Sequence, residues 1–154
     1  MDATRGAVLI LTDMISLPAY ENRLLNKRFL PIDLVSASNW KEDKIATFKR
    51  VLDNTLERKP VALLMNLNYI QNETNPLTSG ETNEIFTLLR QRDGKLALVT
   101  DTFTDETETR LRELWRDRNS VLTMNEPIRD IGKAMEKFLL SPGMGEAGPG
   151  TTAK

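Results

Sequence analysis

The chain has 154 residues, of which 40% are hydrophobic and 28% are charged, and its formal net charge is −1. This length and composition predict one globular domain with an apolar core, and the near-neutral charge argues against general binding to nucleic acid or to anionic membranes. Because the sequence contains neither cysteine nor histidine, it excludes disulfide frameworks, thiolate or imidazole catalysis and the usual zinc sites.

Five short apolar runs predict five β-strands along the chain. The runs are VLIL (8–11), IDLV (32–35), VALLM (61–65), LALV (96–99) and SVLTM (120–124). Continuous apolar runs of this length are typical of strands buried on both faces of a parallel sheet. The intervening helical segments make the strands parallel. The predicted fold is therefore α/β: a flavodoxin-like, doubly wound, five-stranded parallel sheet of order 2-1-3-4-5 with helices on both faces.

The segments that follow the strands have the apolar spacing of helices. Their apolar stripes are Leu17, Tyr20, Leu24 and Leu25; Ile45, Phe48, Val51, Leu52 and Leu56; Ile85, Leu88 and Leu89; Leu111, Leu114 and Trp115; and Ile128, Ile131, Met135, Phe138 and Leu139. Asn39, followed three residues later by Glu42, predicts the start of the second helix. Thr104 predicts the N-cap of the fourth helix, and Pro127 precedes the fifth. Residues 69–83, ahead of the third helix, are predicted as a long polar loop.

The ends of the chain predict a cytoplasmic protein with a flexible tail. No apolar run approaches the roughly 20 residues that a membrane span requires, and the run near the N-terminus is too short for a secretory signal. Residues 141–154 are rich in glycine and proline and have little to bury. We therefore expect one folded domain over residues 1–140, followed by a tail without fixed structure.

Polar side chains stand where the predicted strands end. They are Thr12 and Asp13 after the first strand, Asn66 after the third, Thr100 and Asp101 after the fourth, and Asn125 and Glu126 after the fifth. Ligands of open parallel sheets bind beyond the carboxyl ends of the strands, near the switch in strand order. The sequence therefore predicts that these side chains share one edge of the sheet, where a functional site is expected.

This set of strand-end residues resembles the receiver domain of two-component response regulators, and the resemblance runs from about residue 7 to residue 140. A receiver carries two adjacent acids after its first strand, a phosphoacceptor aspartate after the third, a switch serine or threonine after the fourth and a Lys-Pro pair after the fifth. The matching positions here are Thr12, Asp13, Asn66, Thr100 and Glu126. By resemblance these five residues form a degenerate phosphoacceptor pocket.

The substitutions in this pocket imply a pseudo-receiver that keeps the fold and has lost phosphorylation. The neutral amide of Asn66 is a poor nucleophile and a weak ligand for Mg²⁺. Glu126 stands where a receiver has a lysine, and its carboxylate would repel a phosphoryl group. Only Asp13 remains as an anionic cation ligand. We therefore expect no catalytic residue, no bound metal and no cofactor.

The resemblance also predicts an interaction surface. In receivers, the face built from the fourth helix, the fifth strand and the fifth helix commonly mediates dimerisation or output. Here that face comprises Arg112, Trp115, Arg116, Arg129 and Lys133. We therefore expect a signal-transduction or scaffold module that binds a protein partner or a second copy of itself, without contacting nucleic acid. The helical spacing of Trp115 also suits a core position.

Other interpretations stay open at the level of sequence. Asn66 and Asp13 both suit local roles, as caps that bind free backbone N–H groups. Ser79, before Gly80, suits the phosphorylated serine of a STAS-type anti-anti-sigma regulator, although that family begins with a β-hairpin. A third interpretation is a flavodoxin-like enzyme that uses Asp13 with Asp101 or Glu126.

Overall fold

The protein forms one five-stranded parallel β-sheet. The computed structural model describes residues 5–55, 59–72, 77–100, 105–125 and 131–140. The strands are β1 (Gly6–Leu11), β2 (Phe29–Asp33), β3 (Val61–Asn66), β4 (Lys95–Thr100) and β5 (Val121–Asn125). All neighbouring strands are parallel, in the order β2-β1-β3-β4-β5. The predicted flavodoxin-like sheet is confirmed.

Within the described residues, six α-helices accompany the sheet, one more than the sequence predicts. They are α1 (Leu17–Asn26), α2 (Lys44–Asp53), α3 (Leu67–Asn72), α4 (Ser79–Gln91), α5 (Asp105–Trp115) and α6 (Ile131–Leu140). The additional helix is α3, which lies where a polar loop was predicted to begin. Its fully buried apolar residues are Leu67 and Ile70, with Tyr69 partly buried against the same core, and this pattern is too short to be recognised as helical spacing in the sequence.

The helices cover both faces of the sheet, because alternate strand residues point to opposite sides. On one face, Leu9 and Leu11 of β1 share a core with side chains of α2, α3, α4 and α5. On the other face, Val8 and Ile10 of β1 share a core with α1 and α6. The continuous apolar strands of the sequence are explained by these two cores.

Two helix starts illustrate how local polar residues set the element boundaries. Helix α2 begins at Lys44, where the carboxylate of Asp43 accepts a hydrogen bond from the N–H of Ala46 at 3.0 Å. The predicted start at Asn39 is therefore wrong; Asn39 lies in the preceding turn, with a φ of 69°. Helix α4 begins with a capping box in which Thr78 and Glu81 bind each other's backbone N–H groups.

Three sequence predictions about the chain lie outside the described residues. These are the Thr104 N-cap, the Pro127 start of the last helix, and the flexible tail at 141–154. Helices α5 and α6 are described from Asp105 and Ile131 onward. Among the described helices, none has both the length and the apolar character needed to cross a membrane.

Candidate functional site

The polar residues at the ends of β1 and β3 lie side by side. Leu11 is paired with Met65 in the parallel ladder, so the next residue of each strand, Thr12 and Asn66, falls at the same level of the carboxyl edge. The side-chain amide of Asn66 donates a hydrogen bond to the hydroxyl of Thr12 at 2.9 Å, and both residues are buried. The predicted meeting of these two strand-end residues is therefore borne out in the geometry.

The hydrogen bonds continue from Thr12 to Asp13. The Thr12 hydroxyl accepts from Asn66 and donates to Oδ1 of Asp13 at 3.2 Å. The other carboxylate oxygen, Oδ2, accepts from the backbone N–H of Ser16 at 3.1 Å. Amide, hydroxyl and carboxylate thus form one chain of hydrogen bonds with a consistent direction of donation, which ends at the turn before α1.

The pKa of Asp13 is set by two opposing influences. Burial raises the pKa, but hydrogen bonds from the side chain and N–H of Ser16, from its own N–H and from Thr12 outweigh it, so the pKa lies below its usual value. Asp13 is therefore an anion at neutral pH. Its carboxylate stabilises the turn that leads into α1, which is the local role that the sequence allowed for this residue.

Asn66 has a structural partner at each end of its side chain. Its Nδ2 donates to Thr12, and its Oδ1 accepts from the backbone N–H of Asn68 at 3.1 Å. Because α3 starts at Leu67, this second bond is the one that an N-cap residue makes to the second residue of a helix. The sequence allowed Asn66 a local bond to the backbone that follows β3; the structure shows that bond, at the start of the short helix α3, which was not predicted.

The remaining members of the predicted pocket are only partly described. Val99 of β4 pairs with Asn66 in the ladder, and Thr100, the next residue, is 6% exposed at the same edge. Glu126 and Asp101 lie outside the described residues. Within the described ranges, no three acidic side chains come together in a group that could hold a metal ion.

The predicted interaction face corresponds to α5, β5 and α6, and four of its five residues lie on or beside α5 and α6. Arg112 of α5 donates through Nε to the carboxylate of Glu108 at 2.9 Å and through its terminal guanidinium nitrogen to the hydroxyl of Thr123 on β5. Arg116 and Lys133 are exposed. Arg129 lies outside the described residues. Arg112 therefore ties the helix to the edge strand while remaining partly accessible.

Trp115 does not belong to that surface. Its side chain is 0% exposed and packs edge-on against Phe86, with ring centroids 5.2 Å apart. The Arg90 guanidinium lies 5.4 Å from the centre of the indole ring, and the indole N–H donates to Ser120 at 3.0 Å. Placing Trp115 on the interaction face is therefore wrong, and the core position that its helical spacing also suited is the correct one.

A cleft of about 470 Å³, which no motif in the sequence predicts, lies where α5 ends and β5 begins. It is lined by Thr109, Arg112, Glu113, Arg116, Asp117, Arg118 and Val121. Of these seven residues, Arg112 and Arg116 belong to the predicted face and the other five do not. The only sequence signal for the cleft is the recurrence of arginine at 112, 116 and 118, a pattern that is also typical of a solvated surface.

Comparison of the chain with protein-family models, with curated proteins and with solved structures finds no match. The flavodoxin-like fold rests on the strand order itself. The resemblance to receivers stays a prediction that rests on the strand-end residues.

Proposed function

We propose that the protein is a receiver-like signalling or scaffold module that acts through protein–protein contact and does not depend on phosphorylation. The observation that carries this proposal is the environment of Asn66. It stands at the end of β3, where a receiver has its phosphoacceptor, and both ends of its amide are held by Thr12 and Asn68. The position that would react in a receiver is here part of the framework.

The chemistry of the neighbouring side chains supports the same conclusion. Phosphoryl transfer to a receiver needs a carboxylate nucleophile and acidic ligands for Mg²⁺. In this chain Thr12 replaces one acid, and the carboxylate of Asp13 accepts hydrogen bonds from Thr12 and Ser16. A single acid whose oxygens are already bonded is a poor basis for a Mg²⁺ site. We therefore expect neither phosphorylation nor turnover at this edge.

A receiver-like domain that is not phosphorylated can still act by binding another protein. The surface that the resemblance indicates carries accessible cationic side chains on elements that are firmly packed, since α5 is anchored by Trp115 and α6 by Phe138. Rigid elements that present charged side chains are well suited to binding, because little conformational entropy is lost on association.

The anti-anti-sigma alternative requires a β-hairpin near the start of the chain. Residues 17–26 instead form α1, and β1 and β2 are parallel. Ser79 is the first residue of α4 and follows the capping residue Thr78. These features favour the receiver-like proposal over the STAS alternative.

Phosphorylation is tested by incubating the protein with acetyl phosphate and Mg²⁺ and measuring intact mass over time. We expect no added phosphate on the wild type. Asn66→Asp restores a carboxylate nucleophile and a second acidic Mg²⁺ ligand, so any added phosphate should appear on that variant alone. A phosphorylatable receiver in a parallel tube shows that the donor is active. Stable phosphate on a wild-type strand-end residue would contradict the proposal.

Contact through the predicted face is tested by quantitative affinity capture from cells that express the protein. Lys133→Glu reverses a charge on the face, and Lys41→Glu reverses an equally exposed charge in the turn before α2, on a different part of the surface. We expect the first substitution to deplete specific captured proteins and the second to leave them unchanged. Equal depletion, or none, would count against this face.

A further inference from the structure

The cleft between α5 and β5 holds two arginines without an ion pair among the described residues. Arg112 is bound to Glu108 and Thr123, but Arg116 and Arg118 are exposed and have no salt bridge within the described ranges. Glu113 and Asp117 also line the cleft. Asp117 accepts a hydrogen bond from Ser120 at 2.7 Å, and Glu113 is exposed. The cleft therefore carries charges of both signs, and Arg116 and Arg118 are its arginines without a salt bridge to a described residue.

The cleft opens beside an edge strand that carries no protection in its own sequence. In the described part of the chain, β5 pairs only with β4, and β2, the opposite edge, pairs only with β1. Natural sheet edges are commonly blocked by proline or by charge. The β2 strand contains Pro31 and ends at Asp33, whereas Val121–Asn125 contains no proline and no charged residue.

Both edge strands are more accessible than the central strands. Every residue of β1 and β3 is buried, whereas Val121, Leu122 and Thr123 of β5 are half-buried and Leu30 of β2 is exposed. Val121 forms part of the cleft itself. The unpaired side of β5 and the arginines therefore belong to one continuous surface, which we name the arginine edge: Arg112, Arg116, Arg118 and Val121–Thr123.

We propose that the arginine edge binds an extended acidic segment of a partner protein, which adds to the sheet as a strand beside β5. Backbone hydrogen bonds to the free strand edge would supply affinity, as in other cases of strand addition. Carboxylates of the segment would pair with Arg116 and Arg118, where the planar guanidinium favours bidentate contact. This inference rests on the proposed function, because it specifies the chemistry of the partner that the face binds.

A second copy of the chain fits this surface less well. A twofold contact uses the same patch on both subunits, so a dimer through the arginine edge would place two sets of three arginines in one interface. Like charges brought together in this way oppose association. An acidic segment instead brings charges opposite to those of Arg116 and Arg118, with its carboxylates placed away from Glu113 and Asp117, and this pairing favours it over a second copy.

Binding is tested with a fluorescein-labelled hexapeptide of alternating glutamate and valine, measured by fluorescence anisotropy. The same peptide with glutamine in place of glutamate tests the charge, and a version with methylated backbone nitrogens tests strand pairing. We expect the acidic peptide to bind, the other two to bind much more weakly, and binding to weaken as salt screens the arginines. Amide chemical shifts of the ¹⁵N-labelled protein should change at Val121, Leu122 and Thr123.

A matched pair of substitutions separates charge from backbone effects. Arg116 and Arg28 both have positive φ, of 76° and 66°, and both follow the end of a helix, so each tolerates glycine. Arg116→Gly combined with Arg118→Ser should weaken the acidic peptide roughly fivefold, as for two exposed ion pairs. Arg28→Gly, far from the cleft, should leave the affinity unchanged.

Three results would overturn the inference: no binding of the acidic peptide, equal binding by the Arg116→Gly/Arg118→Ser variant, or shift changes away from β5. A dimer in light scattering, together with concentration-dependent shift changes at Val121–Thr123 and no binding of the acidic peptide, would instead identify a second copy as the occupant. These results are independent of the phosphorylation and capture tests. If Lys133→Glu still depletes partners while the peptide fails, the proposed function stands and only the acidic segment is wrong.

Discussion

Two edges of this molecule carry clusters of polar residues, and they differ in how those residues are used. At the carboxyl edge, Thr12, Asp13 and Asn66 satisfy one another and the neighbouring backbone. At the arginine edge, the side chains of Arg116 and Arg118 form no salt bridge with any described residue. A residue that a family resemblance marks as reactive can therefore have a structural role instead. Side chains whose hydrogen bonds are made within the protein stabilise the fold, whereas exposed charged side chains without a salt bridge can bind a partner.

The largest effect should come from removing the side chain that fixes α5 beneath the arginine edge. Trp115→Ala deletes a fully buried ring that contacts Phe86. We expect the free energy of unfolding to fall by about 3–5 kcal/mol, measured by urea denaturation. Arg110→Ala, an exposed substitution on the same helix, should change it by less than about 0.5 kcal/mol. Similar losses for both would mean that α5 is not anchored as described.

The carboxyl edge is tested as a structural element by Asn66→Ala. This substitution removes the bonds to Thr12 and to the N–H of Asn68, and leaves a buried hydroxyl without its donor. We expect a loss of about 1–3 kcal/mol in the free energy of unfolding. The control is Asn22→Ala, at an exposed site on α1. If Asn66→Ala lowers the free energy of unfolding no more than Asn22→Ala does, the hydrogen bonds of the carboxyl edge do not stabilise the fold as described.

A pH-dependent effect should come from Asp13. Its pKa is lower in the folded protein than the usual 3.8, so the carboxylate contributes stability that is fully present above that value. This contribution is lost as the pH falls through the folded-state pKa. The difference in unfolding free energy between wild type and Asp13→Asn should therefore be constant near neutrality and shrink below about pH 4. A difference that grows on acidification would contradict the assigned hydrogen bonds.

The smallest effect concerns the backbone of the arginine edge. Arg116 lies at the end of α5 with a φ of 76°, a conformation in which glycine is strained less than any L-residue with a side chain. Arg116→Gly should raise the free energy of unfolding by about 0.5 kcal/mol, and Arg28→Gly should do the same. A gain in stability that accompanies a loss of peptide binding would assign the Arg116 side chain to recognition, because folding is improved without it.

Much of the fold could be predicted because strands and helices leave strong periodic signals. Five apolar runs separated by helical stripes allow few arrangements, and the strand order follows from parallel crossover connections. The short helix α3 could not be predicted in this way. It depends on a side chain at the end of a strand, Asn66, capping two buried residues, Leu67 and Ile70. Such a helix is set by tertiary contacts, and the local sequence pattern is too brief to reveal it.

The candidate sites were predictable to different degrees. The strand-end residues Thr12 and Asn66 could be placed together because register follows from sheet topology. The arginine edge could not, since it joins the end of a helix, a 3₁₀ turn at Arg118–Ser120 and a strand. The position of Trp115 was also not decided by the sequence. An aromatic residue among arginines suggests a binding surface, and its packing against Phe86 shows that it faces the core.

The proline in β2 has a consequence for assembly. A sheet that can accept strands at both edges can propagate into a chain of molecules, whereas a sheet with one acceptor edge can add a single strand and then stop. Pro31 lies on the outer strand of one edge, and proline cannot donate a backbone hydrogen bond. We therefore expect an added strand to pair with β5 and not with β2. The expected assembly is a closed complex of fixed stoichiometry, with one added strand per molecule.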